Sequence, residues 1–454
     1  MNDKEQELFE TMPVVRAVLS LAIPTIISQL VTVCYNMADT FFIAHTGNPH
    51  QVAAAHICAP MFFLLTAIAN LFGIGGASLI SRKIGEKDFM QASEAAAFSI
   101  WAGITASLIY GISVYAAGAV ILPMCGANSD SFIFCRKYSF WIIAAGSVPT
   151  VMNPLLAHLV RSEGHAKEAG FGMVMGTIIN IILDPLFISA LDMQIAGAGL
   201  ATMLANLSAC IYFIIFISKQ KKSIISISAA GLPPKNSLSR EIILVGLPSA
   251  LMSIMTSISN ITLNRLLASY SNEAVAGVGI AKKIDYLAFG IATGMAQGVI
   301  PLIAYNYASK NYVRMKRAIK TAFIFSFSTA FLGAFALYSF ASPMVRAFIN
   351  DPKTVEYGEI FQKIICIGGP CISVTLISIT IFQAAGRKIR PLFISMLRKG
   401  GLDIPFMIAM NHIGGVKGII WATPIADFGA MIIALCFLIP FLKNLKDTEI
   451  FQKA

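Results

Sequence analysis

Apolar runs of about twenty residues or more fill most of this chain, and short polar clusters separate them. About 20 helical residues cross the roughly 30 Å hydrocarbon core of a bilayer, where only helices and closed barrels satisfy their own backbone groups. With the loop signals taken as breaks, the pattern predicts twelve helices, near 14–44, 52–80, 91–121, 130–159, 166–190, 195–218, 240–268, 273–306, 313–343, 354–384, 389–411 and 416–443. The expected fold class is therefore an all-α integral membrane protein.

Composition narrows the picture further. Of 454 residues, 56% are hydrophobic and 13% charged, against about 25% charged in an ordinary soluble domain, so a water-faced globule is excluded. The net charge of +11 suggests a nucleic-acid partner until the basic residues are sorted by loop. With the N-terminus in the cytoplasm, inner connections hold eighteen Lys and Arg residues, among them Arg82, Lys83, Arg161, Arg317 and Arg387, whereas outer ones hold five. That is the positive-inside asymmetry of a membrane chain. No nucleic-acid partner is expected, and both termini are expected to be cytoplasmic. The first thirteen residues carry four acids and one lysine, the wrong sign for a secretory signal, so no cleavage is expected.

Eight cysteines form no CxxC pair and lie mostly in apolar runs, where they read as small buried hydrophobes. The six histidines show no metal-ligand spacing, and neither a GxxxxGK[ST] loop nor a nucleophile–base pattern occurs. Enzymatic activity, ATP hydrolysis and a bound cofactor are thus not expected.

The two halves of the chain resemble each other. Pro24 aligns with Pro248 at an offset of 224, Gly75 with Gly298 and GEKDF (85–89) with ASKNY (308–312) at 223, and Gly164 with Gly386. The longest connection joins them. The expected organisation is a tail at 1–13, a first lobe of six helices at 14–218, a linker at 219–239, a second lobe at 240–444 and a tail at 445–454. Because six is even, both halves keep one orientation, so they should form two pseudo-symmetric six-helix bundles around a central cavity.

Candidate chemistry lies in the acids inside helices, since a carboxylate there costs several kcal/mol unless it faces protein, water or a partner. Asp39 on helix 1, Asp184 on helix 5 and Thr202 on helix 6 each lie about 8 to 10 Å below the outer helix end. Asn180 precedes Asp184 by four residues, on the same helix face. Two carboxylates in a poorly hydrated site do not both stay charged cheaply, so the set is expected to take up a proton, or Na⁺, which prefers oxygen ligands. In the second half, Asp403 follows Lys399 by four residues and Asp285 follows Lys282 by three, both at pairing distance on a helix. Both acids are therefore expected to be neutralised and structural. Asp427 has no assigned role. Pro24 removes a backbone hydrogen bond from helix 1 and marks a candidate bending point. Gly73, Gly75, Gly76, Gly294 and Gly298 are expected to mark close helix packing.

The doubled plan, Asp39 and the Asn180/Asp184 pair are found with the stretches IPTIISQLVTVCYNMADTFFIAHTG (23–47), NLFGIGGASLISRKIGEKD (70–88) and GMAQGVIPLIAYNYASKNYVRM (294–315). In these the chain resembles the MATE (multidrug and toxic compound extrusion) transporters over its whole length, and among them the bacterial multidrug export proteins. The resemblance implies a V-shaped pair of lobes in a bacterial cytoplasmic membrane. It further implies outward export of amphipathic, mostly cationic drugs against inward H⁺ or Na⁺ by a monomer in membrane lipid. It assigns the coupling cation to Asp39, Asn180, Asp184 and Thr202, a supporting polar role to Asn153 and helix bending to Pro24. Another branch of the family carries acidic ligands on helices 7 and 10, but here helix 7 holds no acid after Glu241 and helix 10 none after Glu359. A lipid-linked saccharide flippase of the same superfamily is the alternative, with Lys282, Lys283, Arg398 and Lys399 as candidates for a pyrophosphate head group.

Overall fold

The computed structural model describes residues 3–44, 49–220, 223–226, 236–349 and 351–445. Residues 1–2 of the expected first tail, 221–222 and 227–235 of the expected linker, and the expected tail beyond Leu445 lie outside the described residues. All regular structure among the described residues is helical. Among the described residues, ten helices are long and apolar enough to cross a membrane, and the pair Ser129–Ala145 and Ser147–Ser162, bent by 49°, makes an eleventh. The last of the ten, Ile389–Lys443, has 55 residues and would be about 80 Å long if straight, more than twice the hydrocarbon thickness. It breaks at Gly415, where φ 53° and ψ −136° suit only glycine. Two crossings fit there, which brings the total to the expected twelve.

We number them α1 (Val14–Ala44), α2 (Pro49–Gly85), α3 (Phe89–Ala116), α4 (Ser129–Ala145 with Ser147–Ser162), α5 (Ala166–Pro185) and α6 (Gln194–Lys219) in the first half. The second half holds α7 (Asn236–Ala268), α8 (Asn272–Ala308), α9 (Tyr312–Ser339), α10 (Pro352–Ala384), α11 (389–414) and α12 (416–443). The expected single helix at 130–159 is the bent α4, interrupted by a π-helical turn over Phe140–Ala145 and by Gly146. Large apolar side chains such as Ile109, Ile112, Phe331, Leu332 and Phe335 are exposed along the helices, as a lipid-faced surface requires.

Duplication is visible in the backbone itself. Lys87 and Lys310, 223 residues apart, both have φ 61°, a left-handed conformation uncommon outside glycine. Each precedes a helix cap, Asp88 accepting from the Gln91 backbone N–H and Asn311 from that of Arg314. Gly164 and Gly386, also repeat partners, both have positive φ.

By internal packing the chain divides into two units, Met1–Leu8 with Val31–Ser253, and Phe9–Leu30 with Ile254–Ala454. Within the first, α2 and α7 cross so closely that a Cβ on Gly75 would strike the Ile242 carbonyl, and one on Gly246 that of Leu71. Within the second, α8 crosses the first part of α1 in the same way, with Gly298 against Ala22 and Gly294 against Ile26. These glycines mark close approach, as expected. Pro24 lies in that first part of α1, which remains helical through it.

Candidate functional site

A run of small residues, Ala196 to Ala201 with Leu200 as its exception, sets the geometry of the first unit. A Cβ on Gly197 would lie 2.7 Å from the Phe187 backbone, and one on Gly199 would lie 3.2 Å from the Tyr138 ring. This lets α6 lie against both α4 and the end of α5, and so carries Thr202 to the acids.

Asp184 is 0% exposed and Asn180 2%. The Asn180 amide donates to Asp184 Oδ1 at 2.9 Å, leaving Asp184 Oδ2 buried with no hydrogen-bond partner. Asp39 Oδ1 is likewise buried without one. The two carboxylates are close enough to act on each other electrostatically, and both act on the hydroxyls of Tyr35 and Tyr138. Tyr35 is hydrogen-bonded to Thr202 Oγ1 at 3.0 Å. Asn153 donates to Asn206 Oδ1 at 2.8 Å, and Asn206 in turn donates to the Thr202 carbonyl at 3.0 Å.

The structure thus brings together Asp39, Asn180, Asp184 and Thr202 and sets Asn153 one link away; Pro24 belongs to the other unit. Three participants were missed from sequence. Tyr35 precedes Asp39 by four residues and Asn206 follows Thr202 by four, so helical spacing carried a signal for both. Tyr138 carried none. Buried carboxylate oxygens normally have partners; Asp39 Oδ1 and Asp184 Oδ2 have none among the described residues.

In the second unit the acids are differently placed. Asp403 accepts from Lys399 at 2.8 Å, Ser259 at 2.7 Å and Thr423 at 2.9 Å. Asp427 pairs with Arg398 at 2.7 Å, both side chains being under 10% exposed. The expected Lys282–Asp285 pair is absent. Lys282 instead donates to the Asn260 side-chain oxygen of α7, because Asn260 lies across the helix interface within reach of the flexible ammonium.

A helical membrane chain built twice over, with buried partnerless carboxylate oxygens in one half and two ion-paired acids in the other, has the plan of a membrane transporter. The chain belongs to the MatE family, whose signature matches residues 24–186 and 248–408, once in each half. Members of this family are transporters and not enzymes. The chain is 30% identical to the multidrug export protein MepA of Staphylococcus aureus over 428 residues, covering 94% of each protein. It is 29% identical to the MepA of Staphylococcus saprophyticus over 427 residues, again 94% of each. A MATE crystallised in complex with MaL6 shares the fold, with a TM-score of 0.92, 99% of this chain and 100% of the other covered, and 23% identity.

Proposed function

We propose that this protein exports amphipathic, mostly cationic drugs across a bacterial cytoplasmic membrane by antiport against inward H⁺ or Na⁺. The name shared by its staphylococcal relatives supports multidrug export. The observation that carries the coupling mechanism is the pair of partnerless oxygens, Asp39 Oδ1 and Asp184 Oδ2, in one buried pocket of the first unit. A cation arriving from outside neutralises the carboxylates, with Asn180 fixing the Asp184 rotamer and Thr202 and Tyr35 offering hydroxyl oxygens. Loading the pocket removes a desolvated negative charge, so the loaded and empty protein favour different conformations. Drug release outward follows loading, and ion release inward resets the cycle. One net charge per cycle at about 150 mV supplies about 3.4 kcal/mol, enough for a drug gradient of about three hundredfold.

The flippase alternative loses support, because two of its four candidate cations, Arg398 and Lys399, are occupied by Asp427 and Asp403. The test is ethidium transport in proteoliposomes with an imposed pH gradient or an imposed Na⁺ gradient. Concentrative ethidium movement under one of them supports the reading and names the ion. Equal ethidium distribution under both, from protein that is folded and monodisperse, refutes it.

A further inference from the structure

Six ionisable side chains in the second unit act on one another electrostatically: Lys282, Asp285, Arg398, Lys399, Asp403 and Asp427. Four of them close into two hydrogen-bonded ion pairs, leaving Lys282 and Asp285. Asp285 accepts no hydrogen bond among the described residues, and the only partner of the Lys282 ammonium is a neutral amide oxygen. Both side chains stay partly exposed. They stand ten and thirteen residues into α8, about 15 and 20 Å along it, a depth at which lipid contact for either charge is costly. Their exposed side therefore faces water or a solute.

The same helix face continues with aromatic rings. Lys282, Asp285, Tyr286 and Phe289 follow the i, i+3, i+4, i+7 spacing of one α-helical face. Tyr286 is 38% exposed and meets the Phe289 ring edge-on at 6.3 Å. A cation, an anion and an aromatic surface thus sit on a single ridge, with the charges one helical turn apart.

We propose that this ridge is a recognition site for zwitterionic aromatic substrates, with Asp285 taking a substrate amine, Lys282 a carboxylate, and Tyr286 and Phe289 the ring system. The inference deepens the export reading and rests on it. Lys282 acts as a specificity residue: it attracts substrates that carry an acid group and repels permanent cations. Its bond to Asn260 holds the ammonium in place without tying it to a carboxylate.

The test compares ethidium, a permanent cation, with a fluorescent aromatic amino acid-type drug such as a quinolone zwitterion and with the ester of that same drug. Equilibrium binding to purified protein and transport in proteoliposomes are both measured. Lys282→Gln should weaken zwitterion binding by about ten- to a hundredfold, the worth of one charge-assisted hydrogen bond, while ethidium and the ester bind at least as tightly as before, because the ammonium that repels a cation beside Asp285 is gone. Lys282→Arg should retain zwitterion binding. Asp285→Asn should weaken all three probes. Equal loss of ethidium and zwitterion in Lys282→Gln, no loss of either, or failure of the wild-type protein to bind the zwitterion overturns the assignment. Should wild-type protein bind the probes yet move none of them under an ion gradient, the export reading fails while the recognition site stands.

Discussion

Replacing Asp39 by Asn tests the coupling mechanism most directly. The substitution keeps the side-chain volume and replaces one of the two carboxylates of the pocket by a neutral amide, which cannot be protonated or balance a bound cation. At an effective dielectric of about 20, a monovalent cation about 4 Å from a carboxylate gains about 4 kcal/mol. Losing that contact should lower ion affinity about a thousandfold. Asp184 remains, but its Oδ1 is already engaged by Asn180. The variant should therefore bind ethidium with near-normal affinity yet fail to concentrate it. The readout is the steady-state ethidium ratio in proteoliposomes under an imposed ion gradient, with equilibrium binding measured on the same preparation. Because a desolvated charge next to another acid has been removed, the melting temperature should stay level or rise, which separates lost coupling from misfolding. A variant that reaches the wild-type steady-state ratio would refute the proposed role of Asp39.

Asp184→Asn should abolish accumulation to a similar depth, and the double variant with Asp39→Asn should be no worse than either alone, since both acids belong to one coupling pocket that fails when either is lost; additive defects would argue for two independent sites. Asp403→Asn should instead act on stability. It leaves the buried Lys399 without its counter-charge at a cost of about 3 to 5 kcal/mol, and a transport defect as deep as that of Asp39→Asn in protein of normal melting temperature would contradict the neutralised pair. Outside the membrane, His165 is bonded to Glu5 at 3.1 Å. Burial opposes its charge, but the Glu5 hydrogen bond and the charges of Glu5, Glu163 and Glu168 outweigh this and raise its pKa. The interaction stabilises the fold fully below about pH 6.5, the ordinary histidine value, and its contribution is lost as pH rises through the raised folded value. Thermal stability should fall across that window in wild type, and Glu5→Gln should flatten the fall; an identical slope in both would dismiss the contact.

Much of the fold was legible because the bilayer imposes a simple rule on sequence. Long apolar runs gave the helices, and the repeats at offsets of 222 to 224 showed up again as matched left-handed turns at Lys87 and Lys310. The break inside α4 was not legible, because Phe140–Ala145 is as apolar as its neighbours and a π-helical turn carries no compositional mark. In the site, Asp39, Asn180, Asp184 and Thr202 could be aligned by depth alone. Tyr138 could not, since its approach depends on Gly199 of another helix. The case of Lys282 shows the limit of spacing arguments: three residues from Asp285 is a permissible pairing, but a long ammonium side chain chooses among all partners within reach, and Asn260 comes from a helix that spacing cannot see.

The occupied Asp403 has an electrical consequence. If exchange runs through the first unit alone, its two carboxylates accept at most two monovalent ions, and that ceiling fixes how much voltage a turnover can use. Two ions entering for one singly charged drug leaving carry one net charge inward, so the membrane potential drives the cycle. With a doubly charged drug the same exchange is electrically silent, and only the concentration gradient of the ion remains to drive it.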